Sequence, residues 1–404
     1  MHSPGIATNP HAPTRILNAR FAAMFVINTL AQYAVYSMNT LTAPFAASFG
    51  AAPTVIGLVS STFAVTAMAF KLVSSPAIDA FDRKKVLLFA LSVLLAACLC
   101  DAFATSVPFL VASRLFSGTA LAFLPTVCFV IVSDNLPADK MGTGMGYYTL
   151  STVVVQASAP AVGLWISNRL GFNLTFVVVS AVVAVTILFT LAVPLERPRE
   201  RRPFTFRPGS IFSAAVLAPT FILLIEAMIW SQVNTFLVLF AQSRGVLKDQ
   251  IGLFFTVLAL VLVISRPTIG TLADRIGSSR VLFASMFFLA AAFLTISWSH
   301  ELNGFLLGAA LAAFGYAGCQ PTLMAICLRL VPAERRGAAS CTAYLGQDIG
   351  NLIGGVLGGA LVQHFGYAAM WQIMLVPLII AAIVTIVYRR RIDFIPAETA
   401  ATAA

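Results

Sequence analysis

The chain is divided into long apolar stretches separated by short charged connections, and that division leaves few folds open to it. Twelve stretches run at approximately 20–44, 54–78, 86–106, 107–133, 141–166, 171–194, 213–241, 250–273, 281–299, 303–331, 337–363 and 367–388. As a helix, each is about long enough to cross a hydrocarbon core of roughly 30 Å, which takes about 20 apolar residues. In hydrocarbon every backbone N–H and C=O needs an internal partner, so only helices and closed barrels span it. These stretches are apolar throughout and do not alternate in and out as barrel strands do. Only 10% of the 404 residues are charged and 59% are hydrophobic, against about 25% charged in soluble domains. The expected fold class is therefore an all-α membrane protein with 12 transmembrane helices.

The basic residues orient it. With the N-terminus in the cytoplasm, 19 of the 25 Lys and Arg fall on the cytoplasmic side. The exceptions are Arg169, Arg244 and Lys248 in outer segments, and Lys71, Arg114 and Arg266 within helices. This asymmetry is the positive-inside pattern, and it predicts a multi-pass inner (plasma) membrane protein with both termini cytoplasmic. The net charge of +10 then reflects topology, and no nucleic-acid partner is expected. The first stretch reads as a span, being too long for a cleavable signal peptide. Cys98, Cys100, Cys128, Cys319, Cys327 and Cys341 all lie within helices without a CxxC, so neither a disulfide framework nor a metal site is indicated. His2 and His11 lie in the tail, and His300 and His364 near outer loops.

The chain also repeats itself at an offset of 195 residues. Lys71, Asp79, Lys85, Val86 and Leu87 recur as Arg266, Asp274, Arg280, Val281 and Leu282, and Pro137, Gly142 and Gly163 recur as Pro332, Gly337 and Gly358. Two parallel halves of six helices are expected, with a solute site between them. The organisation is a tail at 1–19, a first half at 20–194, a basic linker at 195–212, a second half at 213–389 and a tail at 390–404. The linker carries Arg197, Arg199, Arg201, Arg202 and Arg207 and reads as a lipid-facing connector.

The stretches Ser75-Pro-Ala-Ile-Asp79-Ala-Phe-Asp82-Arg83-Lys84-Lys85 and Gly270-Thr-Leu-Ala-Asp274-Arg275-Ile-Gly277-Ser-Ser-Arg280 resemble the cytoplasmic loop motif of the major facilitator superfamily. The first copy departs from it at Ser75, Ala80 and Asp82. Arg114-Leu-Phe-Ser-Gly118 in helix 4 resembles a motif of the proton-coupled drug exporters. Pro160 and Gly163 in helix 5 resemble the antiporter motif, with Ala159 and Leu164 replacing its outer glycines. Helix 11 carries Gly354, Gly355, Gly358 and Gly359 at the matching offset. The resemblance covers nearly the whole chain and implies the major facilitator fold, in the 12-helix drug/proton antiporter branch. It implies gating roles for Asp79, Arg83, Asp274, Arg275 and Arg280 at the cytoplasmic end, and for Pro160 and Gly163 where small residues let helices approach closely.

Polar residues within the spans are functional candidates because they are costly there, about 2.5–3.5 kcal/mol for a charge on insertion scales. Glu226 and Asp348 lie near the middle of helices 7 and 11, and a buried carboxyl can exchange protons near neutral pH. They are the predicted proton-coupling pair. Glu226, Trp230 and Asn234 share a helix face, as do Tyr344, Gln347, Asp348 and Asn351. Gln32, Tyr36 and Asn39 of helix 1 and Gln320 of helix 10 complete a predicted substrate lining. Arg114 is expected either to meet a carboxylate of the cargo or to pair with Glu226 or Asp348. Lys71 and Arg266, roughly 12 Å along the helix from their motif Asp, are expected to snorkel or to line the inner mouth. Asp101, near the outer end of helix 3, reads as solvated.

The expectation is a secondary transporter that exports a small organic molecule, drug-like or a metabolite such as a siderophore, in exchange for protons. Protons serve as coupling ion and no cofactor is expected; the partners are the small-molecule cargo and the bilayer, and the chain functions as a monomer. Proton-coupled uptake by symport is the alternative within the class. A polytopic membrane enzyme would want a histidine or a nucleophile with a base deep in a span, and the spans hold no such histidine.

Overall fold

The structure, a computed structural model, describes residues 18–136, 141–194, 212–332 and 335–393. The helices are α1 (Ala19–Ser48), α2 (Pro53–Ser61), α3 (Phe63–Ala80), α4 (Arg83–Ala102), α5 (Val107–Asp134), α6 (Met141–Ala192), α7 (Leu217–Ser243), α8 (Gly252–Ile276), α9 (Ser278–Trp298), α10 (Leu302–Arg329), α11 (Arg336–Ile373), α12 (Leu375–Val387) and α13 (Arg389–Ile392). No strand occurs among the described residues. The N-terminal tail, the linker and residues beyond 393 lie outside them. The predicted tail at 390–404 begins as helix, because α13 continues the chain to Ile392.

Helix starts follow ordinary chemistry. Asn18 caps α1 by accepting from Phe21 N at 2.8 Å, and Asp82 caps α4 by accepting from Lys84 N at 2.9 Å. Each such cap contributes about 1 kcal/mol. Within the helices, many Thr and Ser hydroxyls donate back to carbonyls one turn earlier, as Thr42 does to Met38 and Thr190 to Thr186, which satisfies them without water.

Among the described residues, nine helical segments are long and apolar enough to cross a membrane. Two of them, within α6 and α11, contain a non-helical glycine: Gly171 (φ 78°, ψ 170°) and Gly366 (φ 82°, ψ 169°). Only glycine adopts such angles without strain. These two glycines stand 195 residues apart, as do Gly50 (φ 74°) and Gly245 (φ 83°). Helix boundaries recur at the same offset: α4 and α9 begin at Arg83 and Ser278, α5 and α10 at Val107 and Leu302, and α1 and α7 end at Ser48 and Ser243. Large apolar side chains such as Leu188, Ile264, Phe287 and Val387 are exposed along the helices, the surface of a multi-pass membrane protein rather than of a soluble bundle.

Candidate functional site between the two halves

The end of the bundle carrying Asn18, Lys84 and Arg280 is here the basic end; the glycine turns at Gly50, Gly171, Gly245 and Gly366 mark the opposite end. At that opposite end α1–α6 and α7–α13 are sealed together. A Cβ on Gly355 or Gly359 of α11 would stand 2.5 Å from the carbonyl oxygens of Gly57 and Pro53 in α2. Thr54 donates to Gln363 Oε1 at 2.7 Å. A second seam joins α6 to α8, where Gly252 meets Ala161 and Thr256 donates to the Ala157 carbonyl at 2.9 Å. Lys248 Nζ sits 3.7 Å above the Phe172 ring.

The small residues of helices 5 and 11 divide between two tasks. Gly354 and Gly358 face Ser231 and Gln232 of α7, inside their own half, while Gly355 and Gly359 face α2 across the seam. Pro160 is buried. Gly163 lies against Leu41 and Ser37 of α1 at ordinary contact distances, from 3.5 Å outwards. The cross-half approach of α6 is therefore made by Ala157 and Ala161.

One step inwards, Asn39, Ser60, Ser61, Phe63, Ser231, Asn234, Thr235 and Asn351 line a cavity of about 40 Å³, room for roughly two or three waters. Three residues predicted from separate helices, Asn39, Asn234 and Asn351, meet here. Arg114 donates to Asn39 Oδ1 at 2.9 Å. It forms no ion pair with Glu226 or Asp348, because it lies inside the N-terminal half, 1% exposed, and the side chain facing it is Asp101. Asp101 itself is not solvated but 1% exposed, since the α4–α5 contact closes over it.

Nearer the basic end, Glu226 is 4% exposed, and its Oε1 has no partner among the described residues. One turn on, the Trp230 ring stacks on Tyr316 of α10, with centroids 4.1 Å apart and planes 14° from parallel. Glu226, Tyr36 and Arg266 all act electrostatically on Tyr316, and Gln156 of α6 faces the Tyr36 hydroxyl. This cluster draws on α1, α6, α7, α8 and α10. Sequence reasoning missed Tyr316 and Gln156, although each stands four residues before a residue it had marked, Gln320 and Pro160.

Lys71 does not snorkel. Its Nζ donates to Asp348 Oδ2 at 2.7 Å and lies 5.4 Å from the centroid of the Tyr344 ring. Gln32, Gln320 and Gln347 are half-buried on the same helices and take no part in these contacts.

At the basic end, Arg83 pairs with Asp134 in its own half, and Lys84 Nζ donates to the Leu191 and Val193 carbonyls. The positions 195 residues on carry an analogous bond with the roles exchanged, Arg329 donating to Ser278 Oγ at 2.7 Å. Asp393 accepts from Ser279 N and Oγ at 2.9 and 2.6 Å, tying the residue after α13 to the start of α9. Arg280 is exposed. The side chains of Asp79, Asp274 and Arg275 lie outside the described residues.

The chain is 22% identical over 338 residues to the staphylopine export protein of Staphylococcus aureus, spanning 80% of this chain and 84% of that protein. It is 24% identical over 296 residues to a multidrug resistance efflux pump PmrA homolog of Lactococcus lactis, spanning 66% and 68%. In fold it is similar to a bacterial homolog of the human lysosomal transporter Spinster, with a TM-score of 0.79 at 15% identity over 96% of this chain and all of that one. Residues 24–248 and 219–403 match the Major Facilitator Superfamily, and the chain belongs to that family of membrane transporters.

Proposed function

We propose that this protein exports a small organic molecule in exchange for protons by alternating access. The observation that carries the reading is Glu226, a buried carboxyl without a cation in ion-pair reach among the described residues, set beside the Trp230–Tyr316 stack where the halves meet. A lone ionised carboxylate there costs several kcal/mol, and taking up a proton removes that cost. Asp348 is already held by Lys71, so Glu226 carries the proton and the Lys71–Asp348 pair acts as a latch between the halves.

The export direction follows the names of the relatives, an efflux pump and an export protein. Twelve spans in two repeats of six are supported by dividing α6 and α11 at Gly171 and Gly366 and by counting α8 as a span. The basic end faces the cytoplasm of the inner membrane, as the distribution of Lys and Arg implies. The sealed opposite end then makes this an arrangement closed to the outside. One charge crossing 100 mV supplies about 2.3 kcal/mol, enough for roughly a fiftyfold gradient of cargo. One chain contains the whole pathway, so the monomer is the working unit.

The test is transport in proteoliposomes with an imposed proton gradient, comparing wild type with Glu226→Gln and Asp348→Asn across a panel of amphiphilic solutes. Solute-driven proton movement that Glu226→Gln abolishes supports the reading. Solute movement indifferent to the gradient in all three proteins rejects proton coupling, and accumulation with the proton flux in the same direction would make it a symporter.

A further inference from the structure

Asp101 stands one residue before the end of α4, and neither carboxylate oxygen has a hydrogen-bond donor among the described residues. Donors are nevertheless at hand. Ser113 of α5 lies close enough to interact with the carboxyl and Arg114 acts on it by its charge, yet neither reaches hydrogen-bond geometry with it, and Ser113 Oγ, Arg114 Nε and Arg114 Nη2 are themselves buried without partners. Arg114 directs Nη1 the other way, to Asn39. An ionised carboxylate beside a guanidinium normally forms a short, often bidentate pair, and leaving both charges buried and unpaired is strongly unfavourable. A neutral acid removes the contradiction, because it neither demands the guanidinium nor leaves a bare charge.

We infer that Asp101 is a proton-binding residue of the N-terminal half, and that its proton decides whether Arg114 turns to Asn39 or to Asp101. With the proton on Asp101, Arg114 stays with Asn39 at the wall of the cavity that Asn234 and Asn351 close from the other half. When that proton leaves to water at the nearby end of the bundle, the carboxylate draws the guanidinium across and frees the Asn39 amide towards the cavity. Arg114 keeps its own proton throughout, since guanidinium is not deprotonated in proteins. The titratable groups facing Asp101 are Arg114 from α5 and the thiols of Cys98 and Cys100 on α4 itself. From α1, α3 and α6, which also pack on α4, no charged side chain reaches it among the described residues. Asn173 of α6 donates to the carbonyls of Ala102 and Ala104, fixing the end of α4 against it.

The test is infrared spectroscopy of the full chain in lipid nanodiscs, reading the C=O band of protonated carboxyls between about pH 5 and pH 9. It is run in Glu226→Gln protein, so that Glu226 contributes nothing and the outcome is independent of the transport mechanism above. The band should persist in Glu226→Gln, vanish or fall when Asp101→Asn is added, and shift in frequency with Asp101→Glu, which keeps the acid. A band that neither Asp101 variant alters shows an ionised Asp101 and overturns the inference.

Discussion

Lys71 on α3 and Asp348 on α11 form an ion pair of 2.7 Å that joins the two halves below the glycine seam, with the Tyr344 ring beside the ammonium. Neither charge has another counter-ion within ion-pair distance among the described residues, so each holds the other at a depth where charge is costly. Removing one strands its partner. Losing one member of a buried pair costs about 3–5 kcal/mol, and the lower figure applies because Lys71 is partly exposed. Lys71→Ala and Asp348→Asn should each lower the melting temperature in detergent, and Lys71→Met with Asp348→Leu should recover most of the loss. A double variant as unstable as the sum of the singles would show that the pair holds nothing together.

The sealed end depends on backbone-to-backbone approach. A methyl group on Gly355 would fall 2.5 Å from both the Gly57 carbonyl oxygen and Ser61 Cβ, in two packed helices with no flexible tip to yield. Gly355→Ala should therefore prise α2 from α11 and cut transport at least about tenfold, the effect of some 1.4 kcal/mol on the balance between two arrangements. Gly163→Ala is the contrast, since its methyl meets Leu41 and Ser37 at 3.5 Å and beyond. It should be tolerated. Cross-linking between Thr54→Cys and Gln363→Cys reads the seam directly: it should weaken in Gly355→Ala and stay intact in Gly163→Ala.

The stacked pair offers a test of cargo chemistry. Trp230 lies flat on Tyr316, presenting an aromatic face beside Glu226. An aromatic contact is worth about 0.5–1.5 kcal/mol beyond the area it buries. Trp230→Leu should raise the KM for planar aromatic solutes by roughly two- to tenfold while leaving KM for aliphatic ones nearly unchanged. Equal losses for both classes would mean that the stack only supports the helices.

The apolar stretches and the 195-residue repeat made the helices legible in the sequence, because a backbone in hydrocarbon has so few ways to satisfy itself. The paired glycine turns at Gly171 and Gly366 stand at the same 195-residue offset, but nothing in the sequence reading had singled them out, because a glycine's φ is not written in its spacing. Side-chain partners were harder to read. Of the two roles expected for Arg114, pairing with Glu226 or Asp348 does not occur: it turns to Asn39 inside its own half, since helical spacing gives a face but not the helix it meets. Asp101 looked solvated from its place near a helix end, but burial there depends on how α5 and α6 close over α4. The division of the helix 11 glycines, two inwards and two across the seam, follows from a rotation of α11 that spacing alone does not set.

At the sealed end, Lys248 lies in the connection between α7 and α8, outside the spans, with its ammonium over the Phe172 ring of the other half. Burial pushes it down from the ordinary lysine value of 10.5 to about 8, and the ring face returns only part of that cost. The sealed arrangement thus binds the proton less tightly than one in which the halves separate and Lys248 meets water. The sign follows by linkage: below about pH 8 sealing carries the full cost of the buried ammonium, and the cost is relieved as pH rises from about 8 towards 10.5. Alkaline pH should favour the sealed end and acid its opening, the polarity an exporter needs in order to load protons from an acidic exterior. Spin labels at Leu170 and Leu247, both exposed beside this contact, should show a short-distance population that grows between about pH 8 and pH 10.5. Lys248→Met should remove that dependence, and Phe172→Leu should move its midpoint to lower pH. If Lys248→Met retains the full response, another group controls the outer seal.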